Sequence, residues 1–185
     1  MSKYIEKYPW LRLRSLYTGV IYDDYDALDE MPEGWRVAFG DLLCEELDAA
    51  IKDAGLVDEF VIEQLKEKYG RLVIYVSHET PEIRDILEKY RALSGNVCMY
   101  CGKPDVHMLR TGWISPQCED CFSDMNCSEI GKYSDLAYAG DGKMSNSVTV
   151  KIYGKDGREE YHKINCKDTA DKIRARWLER ETGRS

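Results

Sequence analysis

Cys98-Met-Tyr-Cys101 and Cys118-Glu-Asp-Cys121 decide how this chain is read. The two C-x-x-C pairs are separated by sixteen residues, 102–117, which is the spacing of a four-cysteine metal ribbon. Two residues between cysteines let a tight turn carry both thiolates to one side, each about 2.3 Å from a tetrahedral Zn2+. Gly102 follows at once, where such a knuckle calls for a positive φ that glycine reaches at low cost. Lys103-Pro104-Asp105 redirects the chain, and residues 106–109 with 112–115 predict a short hairpin over Arg110-Thr111. Four cysteines leave no open coordination position, so a Zn2+ on Cys98, Cys101, Cys118 and Cys121 is expected to be structural. Disulfides or a redox C-x-x-C are the alternatives. Residues 1–10 are charged and lack an apolar signal core, which favours a reducing cytosol, where paired cysteines more often hold metal. His107 or Cys127 could replace one thiolate, with poorer spacing.

On the N-terminal side of the knuckle, Thr80-Pro81 opens a helix, with Thr80 as N-cap, an apolar stripe of Ile83, Ile86, Leu87, Tyr90 and Leu93, and Gly95 as its stop. Before it, residues 71–77 have strand composition and are expected to form a central strand. Residues 60–68 fit helix or strand, and a strand turning at Tyr69-Gly70 is preferred. A longer helix begins near Trp35 and buries Phe39, Leu42, Leu43, Leu47 and Ile51, with Gly55 as C-cap and Cys44 as an inert buried thiol. The opening segment is aromatic and basic, and Pro9 argues against a regular helix there. After it, Asp23, Asp24, Asp26, Asp29 and Glu30 interleave with Tyr22 and Tyr25 as the densest acidic patch.

Beyond Cys121 the pattern fades: 122–138 is expected to hold a helical turn and 139–146 a flexible linker. Val148, Val150 and Ile152 then alternate along a strand, a turn at 154–157 reverses the chain, and 159–164 returns. Asp168 or Thr169 is expected to cap a last helix with Ala170, Ile173 and Trp177 inward and Lys172, Arg176 and Arg180 as a basic stripe. The sum is an α+β protein: a helix/hairpin body over 1–97, a zinc ribbon over 98–130 and a ββα unit over 147–185 that is too small to fold alone.

The order Tyr8-Pro9, Gly34-Trp35, Lys66-Glu-Lys-Tyr-Gly70, Ser94, Cys98/Cys101, Gly112-Trp113, Cys118/Cys121 resembles a family of uncharacterised phage and prophage proteins. Tyr69 replaces that family's usual Phe, and Arg71 stands where a second glycine is frequent. The resemblance spans residues 8–121, implies a mobile-element setting and a zinc site, and carries no mechanism.

The 185 residues carry a net charge of −8, the reverse of what a binder of bare nucleic acid usually has. Residues 151–185 are +3, so the remainder is −11. No apolar run is long enough to span a bilayer. No phosphate loop, H-E-x-x-H or nucleophile elbow is present, and the three histidines lie in separate segments. A carboxylate-based hydrolase is the weak enzymatic alternative. The expectation is instead a zinc-stabilised binding protein of the bacterial host cytosol. In one version Asp23, Asp24, Asp26, Asp29 and Glu30 imitate nucleic acid and occupy the basic surface of a host protein, as an anti-CRISPR-like inhibitor of anti-phage defence would. In the other, Lys172, Arg176 and Arg180 bind nucleic acid beside the ribbon. A zinc ribbon of some smaller role is the plain alternative to both.

Overall fold

In the computed structural model the described residues are 3–14, 18–111, 113–125, 138–153 and 157–183. The longest apolar stripe organises them. A helical run starts at α2 (Glu33–Trp35), opens into a π turn over Arg36–Gly40, and continues as α3 (Asp41–Asp53). Trp35, Phe39, Leu43, Leu47 and Ile51 are fully buried, as their helical spacing requires. Gly55, at φ +69°, ends the run. α4 (Pro81–Ser94) packs against α3, and Thr80 caps it by accepting the Ile83 N–H at 3.2 Å.

β3 (Ile62–Lys68) and β4 (Arg71–Val76) form the hairpin that the alternation of 60–68 allowed, turning at Tyr69-Gly70. Both turn residues have positive φ, +53° and +72°, the signature of a type I′ turn whose twist matches the flanking strands. β4 is not the central strand that its composition predicts, because among the described residues it pairs only with β3. Leu72 is buried, Ile74 and Val76 pack against the core from the same side, and Val73 and Tyr75 are left on an open face. Strand-like composition reports a strand; it does not report how many neighbours the strand has.

The opening segment forms α1 (Lys3–Lys7), a 3-10 turn at Pro9–Leu11 and β1 (Arg12–Arg14), with Tyr8 and Trp10 in the core. β1 pairs antiparallel with β2 (Ile21–Asp26). The ribbon comprises β5 (Met108–Thr111), β6 (Trp113–Pro116) and α5 (Glu119–Met125). Thr111 pairs with Trp113, so the strand runs through Arg110-Thr111 and the expected turn over that pair is not there; Gly112 lies outside the described residues. β7 (Tyr138–Ala139) adds a third strand beside β5.

The C-terminal unit is β8 (Ser147–Tyr153), β9 (Glu159–Asn165) and α6 (Lys167–Thr182). The hairpin packs on α4, and α6 packs on the π turn. Cys166 occupies the N-cap of α6 without a side-chain capping bond, so neither Asp168 nor Thr169 is the cap. Thr169 is buried and donates its hydroxyl to Glu46 of α3 at 3.3 Å. Glu46 also accepts from Tyr90 and Lys89 of α4, so one carboxylate ties three helices together. Ala170 and Ile173 face inward as expected, while Trp177 is half-buried.

The expected linker 139–146 is pinned as well. Met144 is buried, and its N–H donates to Asp105 at 2.9 Å. Asp105 also takes two bonds from Arg174 of α6, Nε at 2.7 Å and Nη2 at 2.9 Å. Burial alone would raise the Asp105 pKa, but the Arg174 bonds, the Met144 amide and the Arg174 charge hold it below its usual value. A depressed folded pKa contributes stability that is complete above the unfolded value of about 4 and is lost as pH falls through the folded one. Asp105→Asn is therefore expected to be less stable than wild type at pH 7, with the gap closing below about pH 4. Urea midpoints from pH 7 to 3 check this, and a gap independent of pH would refute it.

Candidate metal centre

Cys98 and Cys101 sit in a knuckle that the chain ties from both sides. Cys98 N–H donates to Lys103 O at 2.8 Å, and Gly102 N–H returns to Cys98 O at 2.9 Å. Gly102 has φ +85°, as the knuckle turn requires. Met99 N–H donates to Pro116 O, which brings the end of β6 beside the first knuckle. Cys118 and Cys121 follow from the first turn of α5, where Phe122 N–H donates to Cys118 O at 3.0 Å. The four Sγ atoms all lie within 4.8 Å of one another, and Cys101 and Cys118 are 3.6 Å apart. Four sulfurs about 2.3 Å from one tetrahedral ion would stand about 3.8 Å from each other, so the arrangement fits a metal ion.

The electrostatics agree with that fit. Bonds from the Cys101 and Cys118 thiols hold the Cys98 pKa far below a free thiol's. Cys101 is pushed up by its bonds to Cys118 and Cys98, and Cys121 by burial and by charge on Cys98. One thiolate forms readily and the next are resisted, a repulsion that a divalent cation at the centre removes. Cys98 and Cys118 are buried and the other two half-buried.

The body grips this knuckle directly. Gly34 N–H donates to Met99 O at 2.9 Å, and the Trp35 indole N–H donates to Val97 O at 2.8 Å. A Cβ on Gly34 would lie 2.3 Å from Cys98 O and 2.7 Å from Gly102 N. Arg180 reaches over from α6, its Nη1 within 3.4 Å of where a Gly102 Cβ would stand. Lys103 pairs with Asp120 at 3.4 Å, bridging the two knuckles. Gly34, Trp35, Asp105 and Arg174 thus belong to the centre's support. The first two were visible in the sequence as a helix start and as part of the motif series, not as partners of the knuckle, and the Asp105–Arg174 pair spans 69 positions that no local pattern links.

The remaining candidates are dispersed. His107 is not in the cluster; its imidazole lies against Gly142. Cys127 lies outside the described residues. Cys44 is fully buried in the body, and burial raises its pKa, as expected of an inert thiol. The acidic patch is strand and 3-10 turn; Asp29 and Glu30 are exposed, and Asp26 is not. Asp26 is 2% exposed and caps the turn Ala27–Glu30 by accepting the Leu28 N–H, with Asp29 completing the capping box. Asp29 also pairs with Arg36 at 3.0 Å. Glu30 accepts the Tyr25 hydroxyl at 2.7 Å, which raises that phenol's pKa to about 12. Asp23 and Asp24 lie on β2. In the basic stripe Lys172 is exposed, whereas Arg176 and Arg180 are half-buried and Arg180 stacks over Trp177 at 5.5 Å. None of the described helices is long and apolar enough to cross a membrane. No family model, curated protein or solved structure matches the chain.

Proposed function

We propose that this chain is a zinc-stabilised binding protein and not an enzyme, with the metal holding the ribbon against the body. The observation that carries the reading is the closed set of four convergent thiols, Cys98, Cys101, Cys118 and Cys121. When bound, Zn2+ in such a set supplies folding energy, because no coordination position remains for water or substrate. The soft, all-sulfur donor set in tetrahedral spacing favours zinc over harder cations. Around it, the side chains arranged by the fold bond to backbone and to one another: Trp35 to Val97, Asp105 to Arg174, Lys103 to Asp120. The acidic lead-in supports a basic protein partner less well than its composition suggests, since Asp26, Asp29 and Glu30 serve local bonds.

Metal analysis of protein purified without chelator is expected to give one zinc per chain. Replacing Cys44, Cys127 and Cys166 together by Ser should leave that ratio at one. Absence of zinc in the wild type sinks the reading; loss confined to a Cys127→Ser variant moves the fourth ligand there.

A further inference from the structure

A second concentration of chemistry lies on the open side of the β3–β4 hairpin. The register pairs Lys68 with Arg71, Lys66 with Val73 and Gln64 with Tyr75. Alternation therefore puts Lys66, Lys68, Arg71 and Tyr75 on one face with no carboxylate among these positions. In a chain of net charge −8 this face has the opposite sign.

Three clefts converge on Arg71. One of about 540 Å³ runs between β4 and α4, with Tyr69, Tyr75, Arg91 and the carboxylates of Glu79 and Glu88 in its walls. One of about 360 Å³ passes Arg91 and Asn96 toward Ser147. One of about 300 Å³ reaches Arg110 and Ile114 on the ribbon hairpin. Arg71 is half-buried and donates Nη1 to Ala92 O at 2.8 Å and to Arg91 O at 3.4 Å, at the carbonyl end of α4. It forms no ion pair among the described residues, and burial together with the charge of Arg91 lowers its pKa. The guanidinium rests on the negative end of α4 with donors left over for an anion.

The aromatic rings give that anion a class. Tyr69 is 72% exposed at the hairpin tip, in a left-handed conformation that tyrosine rarely adopts. Tyr75 is exposed on the same side, with Lys66 5.0 Å from its ring, and Lys68 is 5.8 Å from Tyr69. Cations interleaved with exposed rings along a cleft are how single strands are held, backbone on the charges and bases on the rings. An acidic peptide would use the charges and leave the rings idle, and a duplex keeps its bases from them. We propose that this cleft binds single-stranded nucleic acid, its phosphodiester backbone passing Arg71 between Arg91 and Arg110 and its bases stacking on Tyr69 and Tyr75. Glu88 now holds Arg91 at 3.2 Å, and a phosphate takes its place.

The proposal deepens the binding-protein reading and rests on it. The test is fluorescence anisotropy of the zinc-loaded full chain with labelled twelve-residue oligo-dT and oligo-U, with a duplex of equal length and a poly-glutamate peptide as competitors. Contacts to about three phosphates predict roughly a twenty-fold loss of affinity from 50 to 200 mM salt. Arg71→Gln is expected to weaken binding about ten-fold or more. Tyr69→Asn decides between binding and folding. Asparagine suits the left-handed turn, so the melting temperature should hold or rise while affinity falls at least five-fold. Trp113→Ser, at the far tip on the other face of the ribbon hairpin, should change nothing. Absence of binding at 50 mM salt, indifference to Arg71→Gln and Tyr69→Asn, or equal competition by the duplex or by poly-glutamate each overturns the proposal. Zinc content measured on the same samples separates this failure from failure of the metal reading.

Discussion

Cys101→Ser is expected to release the metal and melt the ribbon while the helical body stays folded. The apolar cluster around the site consists of Cys98, Val106 and Cys118, with Cys101 and Cys121 packed against it. Only Val106 in that cluster is aliphatic, so without the metal the knuckles retain four thiols and one small side chain as their core. Structural zinc contributes on the order of 10 kcal/mol of apparent folding free energy in isolated fingers at neutral pH. That figure is an upper guide here, because Gly34, Trp35 and Arg174 also hold the first knuckle. Hydrogen exchange locates the effect. Amides of β5, β6 and β7 should exchange rapidly in the variant, and those of α3 and α4 should keep most of their protection. A strong chelator on wild type should reproduce the pattern, and zinc should reverse it. Unchanged protection in the ribbon after metal loss would show that the hairpin stands without it.

What was legible in the sequence is what is local. The cysteine spacing placed four sulfurs within 4.8 Å although nothing in the sequence describes their contacts. The stripe from Trp35 to Ile51, the Thr80-Pro81 start and the alternation around Val148, Val150 and Ile152 each specify an element through its own period. Partnership was not legible. The apolar run Leu72–Val76 signals burial on both sides, yet one side is an open face, since composition cannot tell a second strand from an open cleft. The Tyr22–Glu30 carboxylates read as an acidic patch because a capping box depends on backbone geometry that the residue types only permit. The stretch 139–146 has the glycines and asparagine of a linker, and its fixed position comes from Asp105 and His107, more than thirty residues away. Arg71 shows the same limit. It is one basic residue among 26 until the fold places it where the clefts of Arg91 and Arg110 meet.

Gly34→Ala is expected to lower stability and zinc retention together, with all four thiols still in place. Its new methyl would meet backbone on each side: Cys98 O at 2.3 Å, and Gly102 N and Met99 C at 2.7 Å. Flexible side chains can yield to a methyl; peptide groups inside a hydrogen-bonded knuckle cannot do so cheaply. Overpacking costs typically 1–3 kcal/mol, and a clash with backbone on two sides belongs at the upper end. The Gly34 N–H to Met99 O bond stretches or breaks as well, adding about 1 kcal/mol. At roughly 2–4 °C per kcal/mol for a chain of this size, the melting temperature should fall by about 8–16 °C. The knuckle can relieve the clash only by moving away from Trp35, which pulls Val97 O off the indole N–H and shifts Cys98 with it. Zinc should therefore pass to a competing chelator faster from the variant than from wild type. A Gly34→Ala protein with a lowered melting point and wild-type zinc retention would mean that body and ribbon fold as independent units. Parallel loss of both means that the metal centre and the helix start at Gly34 form one cooperative structure.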